Sequence, residues 1–490
     1  MAEPTMTAPD AAGVKVRMYR QGLGDCFLLA FPAAAARPFF MLIDCGVLLG
    51  TPQGSDKVRR VAEHIVESTG GRIDVLVATH EHWDHLSGFD QARDVFDRLQ
   101  IGEVWLAWTE DPDDSVARGL RRERETALRA LTSTVSRLRA NGDAESASAA
   151  DGLAPVLGFF GDLGAAGASS GIAGAMAYVA GRGKPPRYRT PGEGPLALPG
   201  VSGARIYVLG PPKEMDFLKR SNPRSGEAYE AALAVHEETS FFAAVLDAHA
   251  KAGGLAMSPE EKTLANLCFP FDKVYRVPLE DARQDPFFQE LYYGVEGGKP
   301  AEQDLAWRRI ESDWLSSAGG LALKLDSNTN NTSLALAIEL VPSGKVLLFP
   351  GDAQAGNWRS WRSLKWSAGG ETVTIDDLLR RTVLYKVGHH ASHNATLREQ
   401  GLERMEHPDL VALIPVDEEM AHKPKGSSPK GWDMPFPPLL KRLEEKTGGR
   451  VLRVDAGLPE RPKKVSAAEW KPFEDQWKEA DLYLEVTVPG

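Results

Sequence analysis

The sequence predicts a layered α/β fold, and three observations predict it. Short apolar strands end abruptly on Asp or His, an amphipathic helix separates two of them, and one buried strand runs straight into a histidine-rich loop. Val14 to Ala30 reads as two strands broken by Gly22-Leu23-Gly24-Asp25. Phe39-Phe40-Met41-Leu42-Ile43 is a third strand, stopping at Asp44-Cys45-Gly46. A helix follows over about Ser55–Ser68, with Val58, Val61, Ile65 and Val66 on one face. Ile73-Asp74-Val75-Leu76-Val77-Ala78 then makes a buried strand that leads into His80.

Past Trp108, a cap at Asp113, Asp114 or Ser115 starts a helix reaching about Ala140. Its apolar stripe is Val116, Leu120, Leu128, Leu131, Val135 and Leu138, and its other face is rich in arginine, including Arg118, Arg121, Arg122 and Arg124. Residues 141–196, rich in Ala, Gly and Ser, are expected to form a loosely ordered insertion. Strand character returns at Ala204–Leu209, and residues 213–320 read as a second insertion with helices near 227–250 and 304–316. Further strands are expected at Leu321–Leu325, Ser333–Leu340, Lys345–Phe349 and Thr382–Val387, with Asp481–Val488 closing the chain. The organisation is one domain over residues 1–490, with insertions at 108–203 and 213–320.

Composition narrows the function classes. Among 490 residues, Lys plus Arg number 57 against 68 Asp plus Glu, a formal charge of −11 that excludes a polybasic nucleic-acid binder as a description of the whole chain. The 42% hydrophobic and 26% charged fractions are those of a globular protein, and no stretch is apolar enough to predict a membrane span. Three cysteines, Cys26, Cys45 and Cys268, cannot make a disulfide framework, which fits a reducing compartment. The N-terminal residues show no secretory pattern, so a cytoplasmic address is expected.

The chemistry concentrates in Thr79-His80-Glu81-His82-Trp83-Asp84-His85, where three imidazoles and a carboxylate follow a buried strand. His80 and His82 can face one point while Asp84 and His85 face a second, a mixture of nitrogen and oxygen donors suited to zinc-like ions. Asp352, after Val346-Leu347-Leu348-Phe349-Pro350-Gly351, and His389-His390, after Val383 to Gly388, occupy the same kind of strand-end position. Together they complete a two-metal donor set in which Asp352 bridges.

These residues resemble the metallo-β-lactamase superfamily, whose His-x-His-x-Asp-His signature matches His80 to His85 and whose Asp-x-Gly turn matches Asp44-Cys45-Gly46. Gly22-Leu23-Gly24-Asp25, Asn331-Thr332-Ser333-Leu334, Leu348 to Ala353 and Lys386-Val387-Gly388-His389-His390 are most similar to the branch related to DNA-internalisation competence proteins. The resemblance covers roughly residues 14–107, 204–212 and 320–457 and neither insertion. It implies a four-layer αβ/βα sandwich with two divalent ions at one edge, zinc first and manganese as the alternative. His80 and His82 would hold the first ion. Asp84, His85 and one of the His389-His390 pair would hold the second, with Asp352 between them. We assign His389 as that ligand and His390 as a catalytic or substrate contact, the sequence leaving the order of the pair open. One departure stands out. Many members add a third His to the first ion, and the matching strand here ends in Gly210-Pro211-Pro212. His236 and His249, in the second insertion, are the remaining sources to weigh against a solvated or core role.

Two ions sharing a water suit hydrolysis, with Asp84 orienting the nucleophile. The expectation is a metallo-hydrolase, a phosphodiesterase or nuclease, with a phosphodiester and in one version nucleic acid as its partner. Hydrolysis of a smaller ester (phosphocholine-type, lactone or thioester) is the alternative, because a fold does not fix a substrate. A third reading is an effector gated by a protein partner docked on the insertions. Trp83, Trp358 and Trp361 are candidates to line the pocket and stack on substrate, His422 is a candidate phosphate contact, and the arginine face of residues 118–139 could follow a phosphate backbone. Core tryptophans and ordinary surface charges are the plain alternatives for each.

Overall fold

Alternating side chains build two large sheets that share one apolar layer. The computed structural model describes residues 5–9, 12–35, 37–141, 144–161, 171–220, 277, 279–296, 299–300, 305, 308, 317–423 and 431–490. The first sheet has eight strands in the order Trp477–Glu479, Tyr483–Val488, Val14–Tyr19, Cys26–Phe31, Phe39–Cys45, Arg72–Val77, Gln100–Ala107, Arg187–Arg189. The second has seven, in the order Val451–Arg453, Val411–Ile414, Thr382–Lys386, Lys345–Phe349, Ala335–Leu340, Val201–Gly210, Leu196–Leu198. Each sheet has a parallel half: Phe39–Cys45 to Arg187–Arg189 in the first, Lys345–Phe349 to Val451–Arg453 in the second.

Period-two patterning sorts each strand's side chains. Phe39, Met41 and Ile43 join Leu347, Phe349 and Leu413 in a core common to both sheets, and the Phe27 and Phe349 rings meet there edge to face at 5.5 Å. The alternate residues Phe40, Leu42, Val346 and Leu348 pack with helix residues such as Val58, Val61 and Ile65 in a second core. The chain is therefore mixed α/β, as expected. Most predicted strands recur within a residue or two, and the helix expected at Ser55–Ser68 spans Gly54–Thr69. No described helix is long and apolar enough to cross a membrane.

The insertions depart from expectation. The helix Ser115–Asn141 starts where predicted, because the Asp114 Oδ1 accepts from the amides of Val116 and Ala117 at 2.8 and 3.0 Å. Leu131, Val135 and Leu138 are buried, but Val116 is exposed. The described residues of 141–196 are more regular than composition suggests. Helix Ala144–Gly158 buries Ala150, Leu153 and Leu157, and helix Gly171–Ala180 buries Ile172, Ala175, Met176 and Val179 at helical spacing. Strands Arg187–Arg189 and Leu196–Leu198 belong to the two sheets, so the far end of the expected 108–203 insertion lies in the main body. The strand expected at Leu321–Leu325 is instead part of helix Ser317–Asn330. Ala322, Leu325 and Thr329 are buried at helical intervals while Leu323 is exposed, so the short alternation lost to a longer 3.6-residue period. The helices expected near 227–250 and 304–316 lie outside the described residues, or almost so.

One buried carboxylate pins the second sheet. Glu339, on Ala335–Leu340, accepts from Arg205 Nε at 2.6 Å, Tyr207 Oη at 2.7 Å and Arg381 at 2.6 Å. Burial alone would raise its pKa; these donors outweigh burial and hold it down at about 2, against an ordinary 4.5. A depressed folded-state value contributes stability above pH 4.5 that is lost as pH falls towards 2. Urea unfolding followed from pH 7 to pH 2 should show this loss, and Glu339→Gln should be less stable at pH 7 and show a shallower acid limb. An acid limb of unchanged steepness in that variant would contradict the assignment.

Candidate metal centre

The site forms where strands of both sheets end. Asp44 closes Phe39–Cys45, the His80–His85 loop follows Arg72–Val77, Asp352 follows Lys345–Phe349, and His389-His390 follows Thr382–Lys386. All four of these strands belong to the parallel halves and point their carboxyl ends at the same place, the usual address of an α/β site. Glycines let the loops approach. A Cβ on Gly46 would collide with the backbone of Asp84 and His85, and Gly24, at φ 154°, would collide with Gly46 and Asp84 backbone atoms.

Hydrogen bonds fix each ring. Asp44 accepts from the Thr79 amide (2.8 Å), the Thr79 hydroxyl (2.7 Å) and His85 Nδ1 (2.8 Å), which leaves His85 Nε2 facing Asp352 Oδ2 at 3.1 Å. His390 Nδ1 donates to the Pro415 carbonyl at 2.7 Å, and its Nε2 stands 2.8 Å from Asp84 Oδ2. His80 Nδ1 lies 3.0 Å from the Thr79 hydroxyl, and His80 Nε2 faces His82 Nδ1 at 3.1 Å. Asp352 Oδ1 accepts from Lys386 Nζ and from the His389 amide, each at 2.9 Å. Lys386 also pairs with Asp25 at 2.5 Å.

These positions carry backbone strain. Asp44, His389, His390 and Ala391 all have positive φ, between 45° and 64°. Three successive non-glycine residues in that region cost on the order of 1–3 kcal/mol each and persist only where their surroundings hold them.

Asp84, His85, Asp352 and His390 present ligand atoms that converge closely enough to hold one ion. Here the structure differs from the sequence reading: His390, not His389, joins that group. The His389 Nδ1 is 2.9 Å from Ser392 Oγ and its ring lies against Phe159, with Nε2 unpartnered. His80 and His82 stand beside the group, the His80 and His85 rings 4.2 Å apart. The sequence reading also missed the supports Asp25, Thr79 and Lys386. Asp25 and Lys386 had been read only as parts of motifs.

The residues fit divalent ions on their own chemistry. Asp84, His85, Asp352, His390, His80 and His82 have no solvent exposure, yet Asp84 Oδ1, His82 Nε2 and His389 Nε2 have no hydrogen-bond partner. A His390 ring that donates through Nδ1 points a lone pair from Nε2 at a carboxylate, so a proton or a cation must stand between them. Burial would lower the pKa of His85, but Asp352, Asp25, Asp84 and Asp44 outweigh it and raise the value. Burial likewise opposes the rise at His390, which the Asp84 carboxylate imposes. The cluster demands positive charge. Burial instead drives His82 down to about 3 and His80 well below its ordinary value, the neutral state a ligand needs.

The remaining candidates lie elsewhere. Trp83 is buried, its amide donating to the Phe159 carbonyl at 2.6 Å, and Trp358 and Trp361 stack on each other at 4.2 Å in the core, so none lines a pocket rim. His422 is partly exposed beside Glu418, at 3.8 Å, with no recorded contact to the cluster. His236 and His249 lie outside the described residues. Phe160 and Phe159 cover His82 at 4.8 and 5.7 Å, and Phe159 packs on Trp432 at 5.0 Å. Comparison with protein-family models and with curated proteins finds no match to this chain.

Part of the arginine face is engaged in structure. Arg124 is buried and pairs with Glu81 inside the metal loop and, at 3.5 Å, with Glu110. Burial pushes the Glu81 carboxyl up to about 8, against the pull of Arg124. Arg118 and Arg121 donate to the carbonyls of Pro112, Asp113 and Glu110. Removing the buried cation leaves the buried Glu81 and Glu110 side chains without it, at a cost of about 3–5 kcal/mol. Chemical unfolding should therefore find Arg124→Met destabilised by about that amount, with partial recovery in Arg124→Met/Glu110→Gln. A loss below about 0.5 kcal/mol, the level of an ordinary surface change, would mean the pair does not tie the helix to the loop.

Proposed function

We propose that this chain is a metal-dependent hydrolase of the metallo-β-lactamase kind, folded as a four-layer αβ/βα sandwich, with a two-ion site acting on a phosphodiester. The observation that carries the reading is the solvent-free convergence of Asp84, His85, Asp352 and His390 beside the His80–His82 pair. His80 and His82 would hold the first ion, Asp84, His85 and His390 the second, and Asp352 both. Zinc suits the mixed imidazole and carboxylate donors, and manganese would suit the oxygen-rich bridge. When bound, the pair would acidify a water and neutralise charge on the phosphoryl oxygens.

The chain's own groups do the rest. Lys386 and the His389 amide hold Asp352 Oδ1, so its Oδ2 keeps one direction. Asp84 keeps Oδ1 without a partner and can accept a hydrogen bond from the attacking water, orienting it. His389 shares a hydrogen bond with Ser392 at Nδ1 and offers a neutral Nε2 to the substrate, since burial holds its pKa down at about 4. Phe159, Phe160 and Trp432 exclude water from this side.

The aromatic cover and the engaged arginines favour a small diester over a nucleic-acid strand, which needs an open basic groove. They equally suit the alternative substrates, a phosphocholine-type ester, lactone or thioester. They also suit a site that opens when a protein partner engages the insertions.

Hydrolysis of bis-p-nitrophenyl phosphate with added Zn²⁺ or Mn²⁺ tests the reading. Asp352→Asn should lower kcat by at least about 10³-fold with an unchanged circular dichroism spectrum. His390→Ala should lose bound metal, whereas His389→Ala should keep it and lose turnover. Full activity in Asp352→Asn would refute the mechanism, and metal loss in His389→Ala alone would restore the opposite order of the pair.

A further inference from the structure

Among the described residues the first ion of the proposed site has two imidazoles and no third histidine, and the structure offers a different support for it. Asp326 lies on helix Ser317–Asn330, which leads from the second insertion into strand Ala335–Leu340 and packs against helices Ser115–Asn141 and Ala144–Gly158. Its side chain is 13% exposed. The Asn330 amide nitrogen donates to Oδ2 at 3.2 Å, while Oδ1 has no partner. That oxygen stands 3.7 Å from His82 Nε2, and His82 Nε2 is itself buried without a hydrogen-bond partner.

The two nitrogens of His82 thus have separate jobs. Nδ1 faces His80 Nε2 at 3.1 Å, on the side where an ion would sit, and Nε2 faces away towards Asp326. Phe159 and Phe160 pack against the ring, with centroids 5.7 and 4.8 Å away, which favours this one orientation. Asp326 is not among the residues whose donor atoms converge into a ligand group. A metal-bound imidazole commonly gives its other N–H to a carboxylate, which fixes the tautomer and makes the ligating nitrogen more basic.

We infer that Asp326 is a positioning residue for the first metal, accepting a hydrogen bond from the His82 Nε2–H so that Nδ1 is free to ligate. The inference rests on the proposed two-ion reading and deepens it: a carboxylate supplied from beside an insertion strengthens a ligand at a site where the described residues supply only two imidazoles.

Zn²⁺ titration of the metal-stripped full chain, with ¹⁵N–¹H correlations of the histidine side chains, tests it. The wild-type chain should bind two ions with unequal affinity and show His82 protonated at Nε2. Asp326→Ala should weaken the first ion by about 10–100-fold, leave the second unchanged, and lose the single Nε2-protonated form. Asp326→Glu should recover part of the affinity, and a circular dichroism melt establishes that each variant is folded. Wild-type affinity and an unchanged His82 tautomer in Asp326→Ala would overturn the inference while leaving the two-ion reading intact. So would outright loss of the first ion in both Asp326→Ala and Asp326→Asn, which would make Asp326 a ligand. A wild-type chain that binds no ion would fail the two-ion reading itself, and this inference with it.

Discussion

The Lys386 ammonium has 1% side-chain exposure and sits between Asp25 at 2.5 Å and Asp352 at 2.9 Å, so it joins a turn of the first sheet to a strand end of the second. It also donates to the Gly351 carbonyl at 2.9 Å. A buried ammonium persists only when it is paired and fully hydrogen-bonded. Burial opposes its charge, and the two carboxylates outweigh that and raise its pKa. Everything else in the site depends on this pairing. It aims one oxygen of Asp352 at His85 and leaves the other to accept from the His389 amide, which helps hold the strained turn at His389 to Ala391.

Charge balance then explains why the donors point inward. Asp25, Asp44, Asp84 and Asp352 are buried within reach of one another through His85, and Lys386 is their one lysine or arginine partner among the described residues. The surrounding carboxylates raise the pKa values of the His85 and His390 imidazoles, so the cluster favours positive charge there, the role a divalent ion would take over. The first insertion closes the arrangement from outside. Arg124 grips Glu81 in the metal loop, and Phe159 and Phe160 lie over His82, so a long helix and an aromatic pair bear directly on the ligand-bearing loop.

Much of this was legible in the residues because strands and strand-end ligands leave short-range signals. Lys345–Phe349 recurs with its expected limits, and His80, His82, Asp84, His85 and Asp352 meet where the pattern placed them. What could not be read was three-dimensional. The order within His389-His390 depends on a left-handed backbone that the letters do not encode. Trp83 looked like a rim residue because its neighbours are ligands, yet its ring packs on Gly161. Asp326 was invisible because Leu321–Leu325 alternates like a strand, and only the helix brings that carboxylate to His82. The arginine face misled for a related reason, since a helical wheel does not show that Arg124 points at a buried glutamate.

Metal content is the most direct measure of the proposed centre. Elemental analysis of the purified chain, after Zn²⁺ or Mn²⁺ has been added and the excess removed, should find about two ions per chain. Lys386→Met should fall below that number because Asp352 loses its orientation. A chain that retains neither ion, with Lys386→Met indistinguishable from it, would contradict the metal centre and leave the buried histidine–carboxylate cluster as a proton-balanced structural core.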